Sequence, residues 1–145
     1  NVFGPRQNPK GPYAAVIPLF IDHLLKNERP KIFGDGEQSR DFTYVSNVVH
    51  ANLLAAFNDT APGFEVFNIG CGGSTSVNTL FSIIKSITNG KSEALYEPER
   101  QGDIRDSSAS VSKAAKALGY NPAVDVEQGL KETVIWFKEN KNVFA

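Results

Sequence analysis

The chain has 145 residues, 41% of them hydrophobic and 21% charged, with a net charge of −1. That is the make-up of one globular domain long enough to build a core. Its 15 basic and 16 acidic residues are interspersed without a lysine or arginine block, which argues against a nucleic-acid or anionic-membrane footprint. A lone cysteine, Cys71, leaves no internal disulfide and points to a reducing, cytoplasmic setting. The longest apolar run, Ala14 to Ile21, is too short to span a bilayer. Methionine is absent and the first residue is Asn1, so the sequence is expected to be a fragment of a longer protein.

Asn1 to Pro12 is rich in Gly, Pro and Asn and reads as an extended, turn-rich opening. Tyr13 to Lys26 has helical spacing (Val16, Phe20, Leu24, flanked by Ile17, Ile21 and Leu25), and Pro18 pushes the start to about Ile17. Lys31-Ile32-Phe33 is a short strand running into a turn at Gly34-Asp35-Gly36, which delivers Arg40 to a strand over Phe42 to Val45. Ser46 is the expected cap of a helix through Phe57, which Asp59 to Gly63 ends. Glu65 to Ile69 reads as a strand and Gly70 to Thr75 as a loop. Ser76 then caps a helix carrying Val77, Leu80, Phe81, Ile84 and Ile87, with Gly90 as its terminator.

Ala94-Leu95-Tyr96 is a minimal strand, followed by a polar loop from Glu97 to Asp103. Ser110 is the expected cap of a short helix, Val111 to Leu118, stopped by Gly119. Asp125 and Gln128 form a capping-box pattern for a last helix with Val126, Leu130, Val134 and Phe137 on one face. The layout is α+β.

Most candidate chemistry is weak when taken motif by motif. Gly70-x-Gly72 precedes a helix but lacks the third glycine and the βαβ context of a dinucleotide loop. His23 and His50 have no partners at metal-ligand spacing, and Cys71 has no neighbouring base. Arg40 suits a phosphate or carboxylate through its planar fork, or else pairs with Asp41 or Glu37 on a solvated hairpin. Arg100 and Asp103 flank Gly102 and suit a phosphate and a ribose hydroxyl, or else form a solvated charged loop. Two arginines beside glycine turns could clamp a diphosphate, if the fold brings them together.

Four stretches in this order carry a resemblance: Asn1-Val2-Phe3-Gly4-Pro5-Arg6-Gln7, Gly34-Asp35-Gly36 through Arg40-Asp41-Phe42-Thr43-Tyr44-Val45, Phe67-Asn68-Ile69-Gly70, and Arg100-Gln101-Gly102-Asp103-Ile104-Arg105. The series resembles the C-terminal half of extended short-chain dehydrogenase/reductase proteins, the NAD-dependent nucleotide-sugar epimerases and dehydratases. Its strongest likeness is to UDP-N-acetylglucosamine (UDP-GlcNAc) 4-epimerases.

That resemblance implies a small substrate domain over residues 1–145, with NAD held by a Rossmann domain outside this sequence. Asn1, Arg40 and Arg100 would then bind the diphosphate of a UDP-sugar and Asp103 its ribose. Ala15 and Val16 would line the uracil side, Lys31 and Phe33 would flank the base, and Gln7 and Ser107 would face the sugar. The family's Tyr-x-x-x-Lys catalytic pair does not occur here. The expectation is an inactive portion of a homodimeric 4-epimerase acting on UDP-GlcNAc or UDP-glucose, with no metal. A nucleotide-sugar 4,6-dehydratase or decarboxylase, or a non-catalytic binding domain, is the alternative.

Overall fold

The computed structural model describes residues 1–10, 14–58, 64–141 and 143. In chain order the elements are β1 (Val2–Phe3), α1 (Val16–Leu25), β2 (Lys31–Phe33), β3 (Ser39–Arg40), β4 (Thr43–Tyr44) and α2 (Val45–Ala56). Then follow β5 (Thr75–Ser76), α3 (Val77–Thr88), β6 (Leu95–Glu97), β7 (Asp106–Ser107), α4 (Ser112–Leu118) and α5 (Val126–Glu139). The α+β layout is confirmed, with helices longer than any strand.

Helices α1, α3 and α5 pack on one another and enclose the main core. Ile17, Phe20, Ile21 and Leu24 of α1 meet Leu80, Phe81 and Ile84 of α3 and Leu130, Val134 and Phe137 of α5. Phe20 and Phe81 meet edge to face, with centroids 5.8 Å apart. Pro18 is the third residue of α1, where its missing N–H breaks no bond. The first turn-closing bond comes one residue later, from Leu19 N–H to the Ala15 carbonyl.

Among the described residues the strands form three small sheets around this layer. β1 pairs with β4 and β2 with β6, both parallel. β3 is the centre of the third sheet, antiparallel to β5 and parallel to β7, with Arg40 opposite Thr75 on one side and Ser107 on the other. Residues far apart in sequence therefore meet on β3.

Three expected caps hold. Ser76 Oγ accepts from Thr79 N–H, Asp125 from Gln128 N–H at 2.8 Å, and Gly119 ends α4 at φ +68°. The capping box is one-sided, because the Gln128 side chain turns to Glu132 instead of back to the cap. Other boundaries shift. Pairing with β1 holds Tyr44 extended, so α2 begins at Val45 and Ser46 caps nothing. Asn89, not Gly90, takes the left-handed position after α3, and α4 starts at Ser112. Tyr13 and the stretch from Asp59 to Gly63 lie outside the described residues.

The expected strand over Glu65 to Ile69 does not form among the described residues. A strand exists only through a ladder with a neighbour, and none pairs with this segment. Phe64 is 94% exposed and Val66 66%. On α2 the structure buries Asn47 and Ala51 and leaves Val45, Val49, Leu53 and Phe57 as an exposed row at four-residue spacing. Among the described residues no helix is long and apolar enough to cross a membrane.

Tyr44 joins the strands to α5. Its ring lies against Phe3, and burial together with Glu132 pushes its phenol up to about 12. A Cβ at Gly129 of α5 would come within 2.8 Å of that side chain. In an open helix Gly→Ala gains about 1 kcal/mol, whereas forcing an extra methyl into a filled core costs about 1–3 kcal/mol. Gly129→Ala is therefore expected to lower the urea midpoint; a raised midpoint would show that the ring can retreat.

Candidate nucleotide-binding cleft

The site starts from the turn between β2 and β3. Gly34 and Gly36 sit at φ +72° and +77°, and Asp35 Oδ1 accepts from Glu37 N–H at 2.9 Å. Gln38 Nε2 crosses the turn to the Phe33 carbonyl at 2.8 Å. Asn78, at the start of α3, clasps it from outside by donating to the Asp35 carbonyl at 2.9 Å and to the Glu37 carboxylate. Its own Oδ1 accepts from the Tyr96 hydroxyl at 2.8 Å, and a Cβ at Gly36 would lie 2.1 Å from that same atom. The turn is thus tight for a local reason and fixed for a long-range one.

The reversal brings Phe33 and Arg40 to one cleft of about 220 Å³, into which the loop after β6 brings Arg100 and Asp103. Arg40 is largely buried. Its Nη1 donates to the carbonyls of Ser39 (2.7 Å) and Arg105 (3.2 Å), and its Nη2 to Asp103 Oδ1 at 2.8 Å. The Arg100 guanidinium lies 3.7 Å from the Phe33 ring centroid, a cation–π stack. Lys31 also lines the cleft, its ammonium 3.0 Å from Glu97.

Neither sequence-level partner for Arg40 is used. Glu37 is taken by Asn78, and Asp41 turns the other way. Buried Asp41 accepts from the N–H groups of Cys71 and Gly72, both at 3.0 Å. The glycine-rich loop 70–75 therefore presents its amides to a carboxylate of its own chain. Burial and the Asp41 charge push the Cys71 thiol up, which disfavours the reactive thiolate. Among the described residues no group of three His, Cys, Asp or Glu could hold a metal ion.

Of the ten expected site residues, Asn1, Val16, Lys31, Phe33, Arg40, Arg100 and Asp103 line the 220 Å³ cleft together. Gln7 and Ala15 line a neighbouring hollow of about 180 Å³ that shares Asn1 and Val16 with it. The Gln7 amide oxygen is buried there without a hydrogen-bond partner among the described residues. Ser107 lines neither cavity; it is the β7 residue in register with Arg40. A third, more apolar hollow of about 260 Å³ shares Val16, Lys31, Phe33 and Arg100 and adds Leu19, Phe20, His23 and Pro30.

Gln38, Phe42 and His23 line these cavities and were not anticipated. His23 was legible in principle. It lies seven residues after Val16 on α1, two turns along the same helical face. Its Nδ1 is buried without a partner. Gln38 and Phe42 carried no such signal, since their orientation depends on strand pairing.

A mixed cleft of two arginines, an acid and an aromatic ring suits a ligand with a diphosphate and a planar base. Residues 1–70 match the NAD dependent epimerase/dehydratase family. The chain is a relative of these epimerases and dehydratases.

It is 38% identical over 138 residues to a UDP-glucose 4-epimerase of Mycolicibacterium smegmatis, covering 95% of this chain and 43% of that protein. Its fold matches the UDP-glucose 4-epimerase of Thermotoga maritima, solved with UDP-glucose, at TM-score 0.90 and 47% identity. That match covers 97% of this chain and 44% of the other. A UDP-N-acetylglucosamine 4-epimerase of Methanobrevibacter ruminantium, in complex with UDP-N-acetylmuramic acid, matches at TM-score 0.88 and 45% identity over 96% of this chain and 44% of that one. The chain spans less than half the length of these relatives.

The Asp41 carboxylate anchors the loop at Cys71 and Gly72. Its loss would leave two amides without an acceptor, and hydrogen bonds to a charged group are worth about 1.5–3 kcal/mol each. Asp41→Ala is expected to destabilise the chain by about 2–4 kcal/mol in urea unfolding. It should also speed alkylation of Cys71, because burial still holds the thiol up but the added push of the Asp41 charge is gone.

Proposed function

We propose that this chain is the nucleotide-sugar-binding portion of an NAD-dependent UDP-sugar 4-epimerase. The observation that carries the reading is the meeting of Arg40, Arg100, Asp103 and Phe33 in one cleft, from segments some sixty residues apart in sequence. Arg40 and Arg100 take the diphosphate, with Asn1 beside them at the cleft wall. Asp103 takes the ribose hydroxyls. The apolar hollow under Val16, Lys31 and Phe33 takes the uracil, and Ala15, which precedes Val16, lines the adjoining hollow. Gln7, with its unpaired amide oxygen, and Ser107, behind Arg40, attend the sugar end. An amide oxygen in need of a donor favours an N-acetylated sugar, whose N–H supplies one.

These residues bind and orient a substrate; NAD supplies the oxidation and reduction in such enzymes. The residues described here do not fit NAD. The loop whose glycines invite a phosphate has its amides committed to Asp41. We therefore assign NAD and the catalytic pair to a further domain of a cytoplasmic, homodimeric parent protein. The relatives' greater length supports this. So does the exposed apolar row Val45, Val49, Leu53 and Phe57, with Phe64 and Val66, which offers a face for that domain to cover.

Calorimetric titration with UDP tests the cleft. Arg40→Ala is expected to weaken UDP at least about tenfold, the loss of one charge-assisted hydrogen bond or more, with an unchanged circular dichroism spectrum. Equal affinity would remove Arg40 from the site. On its own the 145-residue chain is expected to leave UDP-GlcNAc and UDP-glucose unconverted when NAD is added. Turnover of either sugar would overturn the division of labour.

A further inference from the structure

Arg40 already has an anion. Two backbone carbonyls, those of Ser39 and Arg105, hold its Nη1, so the guanidinium is placed by the chain whatever else binds it. Its Nη2 donates to Asp103, and the two side chains are only 17% and 33% exposed. An ion pair at a cleft wall is screened less than one in open water. The other arginine of the cleft, Arg100, is held by the face of Phe33 and has no acid bound to it among the described residues. One arginine is therefore neutralised in the ligand-free cleft and the other is not.

We propose that Asp103 is a specificity-determining residue, which occupies Arg40 as an internal anion and yields it to a ligand that brings hydroxyl donors along with its phosphates. The inference rests on the nucleotide-binding reading above and adds a partner exchange to it. Inorganic pyrophosphate offers little but acceptors. If it takes Arg40, the Asp103 carboxylate is left facing a second negative charge with no donor in return. A nucleoside diphosphate carries ribose hydroxyls, which donate to the displaced carboxylate while the phosphates take the guanidinium. The same carboxylate thus penalises bare phosphates and rewards nucleotides. Arg40 keeps its position through the exchange because the Ser39 and Arg105 carbonyls do not leave.

The test is calorimetric titration of the chain and of Asp103→Asn with UDP and, separately, with inorganic pyrophosphate. Asparagine keeps the shape and removes the charge, and circular dichroism verifies the fold. In Asp103→Asn the affinity for pyrophosphate is expected to rise about fivefold or more, the range of a modest coupling between sites. UDP affinity should not rise, so the preference for UDP shrinks. The gain for pyrophosphate should vanish in the double variant Arg40→Ala, Asp103→Asn.

If the wild type binds UDP but pyrophosphate gains nothing in Asp103→Asn, the exchange is wrong and the nucleotide cleft stands. A gain that survives removal of Arg40 also overturns it, since general charge would then explain the effect. If UDP does not bind the wild-type chain at millimolar concentration, the nucleotide reading falls and the exchange falls with it.

Discussion

Three consecutive side chains of the central strand β3 and its edge, Ser39, Arg40 and Asp41, each hold a different remote segment. Ser39 bonds to Asp106 and accepts from the Ser74 hydroxyl at 2.7 Å. Arg40 holds Asp103 and the Arg105 carbonyl, and Asp41 holds the amides of Cys71 and Gly72. The loops around 71–74 and 103–106 are thereby tied to one two-residue strand. Polar groups withdrawn from water must be satisfied, so these bonds leave the loops few alternative positions. The cleft depends on that constraint more than on any single wall.

The hydrophobic core aims the cleft from below. Along β2, Ile32 is buried, so alternation turns Lys31 and Phe33 away from the core. On α1, Ile17, Phe20, Ile21 and Leu24 face α3 and α5, which leaves Val16, Leu19 and His23 for the cavities. Phe20 serves both sides. Packing among α1, α3 and α5 thus sets the orientation of side chains that never enter the core. A similar tie operates at the far end. Asn47 of α2 donates to the Val124 carbonyl at 2.7 Å and accepts from the amides of Ala123 and Val124, which joins α2 to the approach to α5.

On α2 and the segment after it, sequence pattern and structure part company. Val49, Leu53 and Phe57 have the spacing of a core-facing helix, and Glu65 to Ile69 the composition of a strand. The structure leaves the first three exposed and, among the described residues, gives the segment no ladder. Periodicity reports that a face is apolar; it says nothing about which stretch of polypeptide covers it. Asn47 and Ala51, which the pattern passed over, are the residues of α2 that are buried.

The sequence by itself determined what is local. The glycine turn at 34–36 follows from residue types that accept positive φ and close an Asx bond. The caps at Ser76 and Asp125, the stop at Gly119 and the placing of Pro18 follow from the chemistry of helix ends. The ordered motifs also carried the family likeness and most of the cleft residues. What only the tertiary structure decided is pairing. Glu37 and Asp41 were the partners that proximity offered Arg40, and both lost to Asp103, 63 residues away. Arg100 met an aromatic face where an acid was equally available on paper. Such choices depend on which strands lie side by side, and strand pairing is set by the whole core, so no short stretch of sequence can contain them.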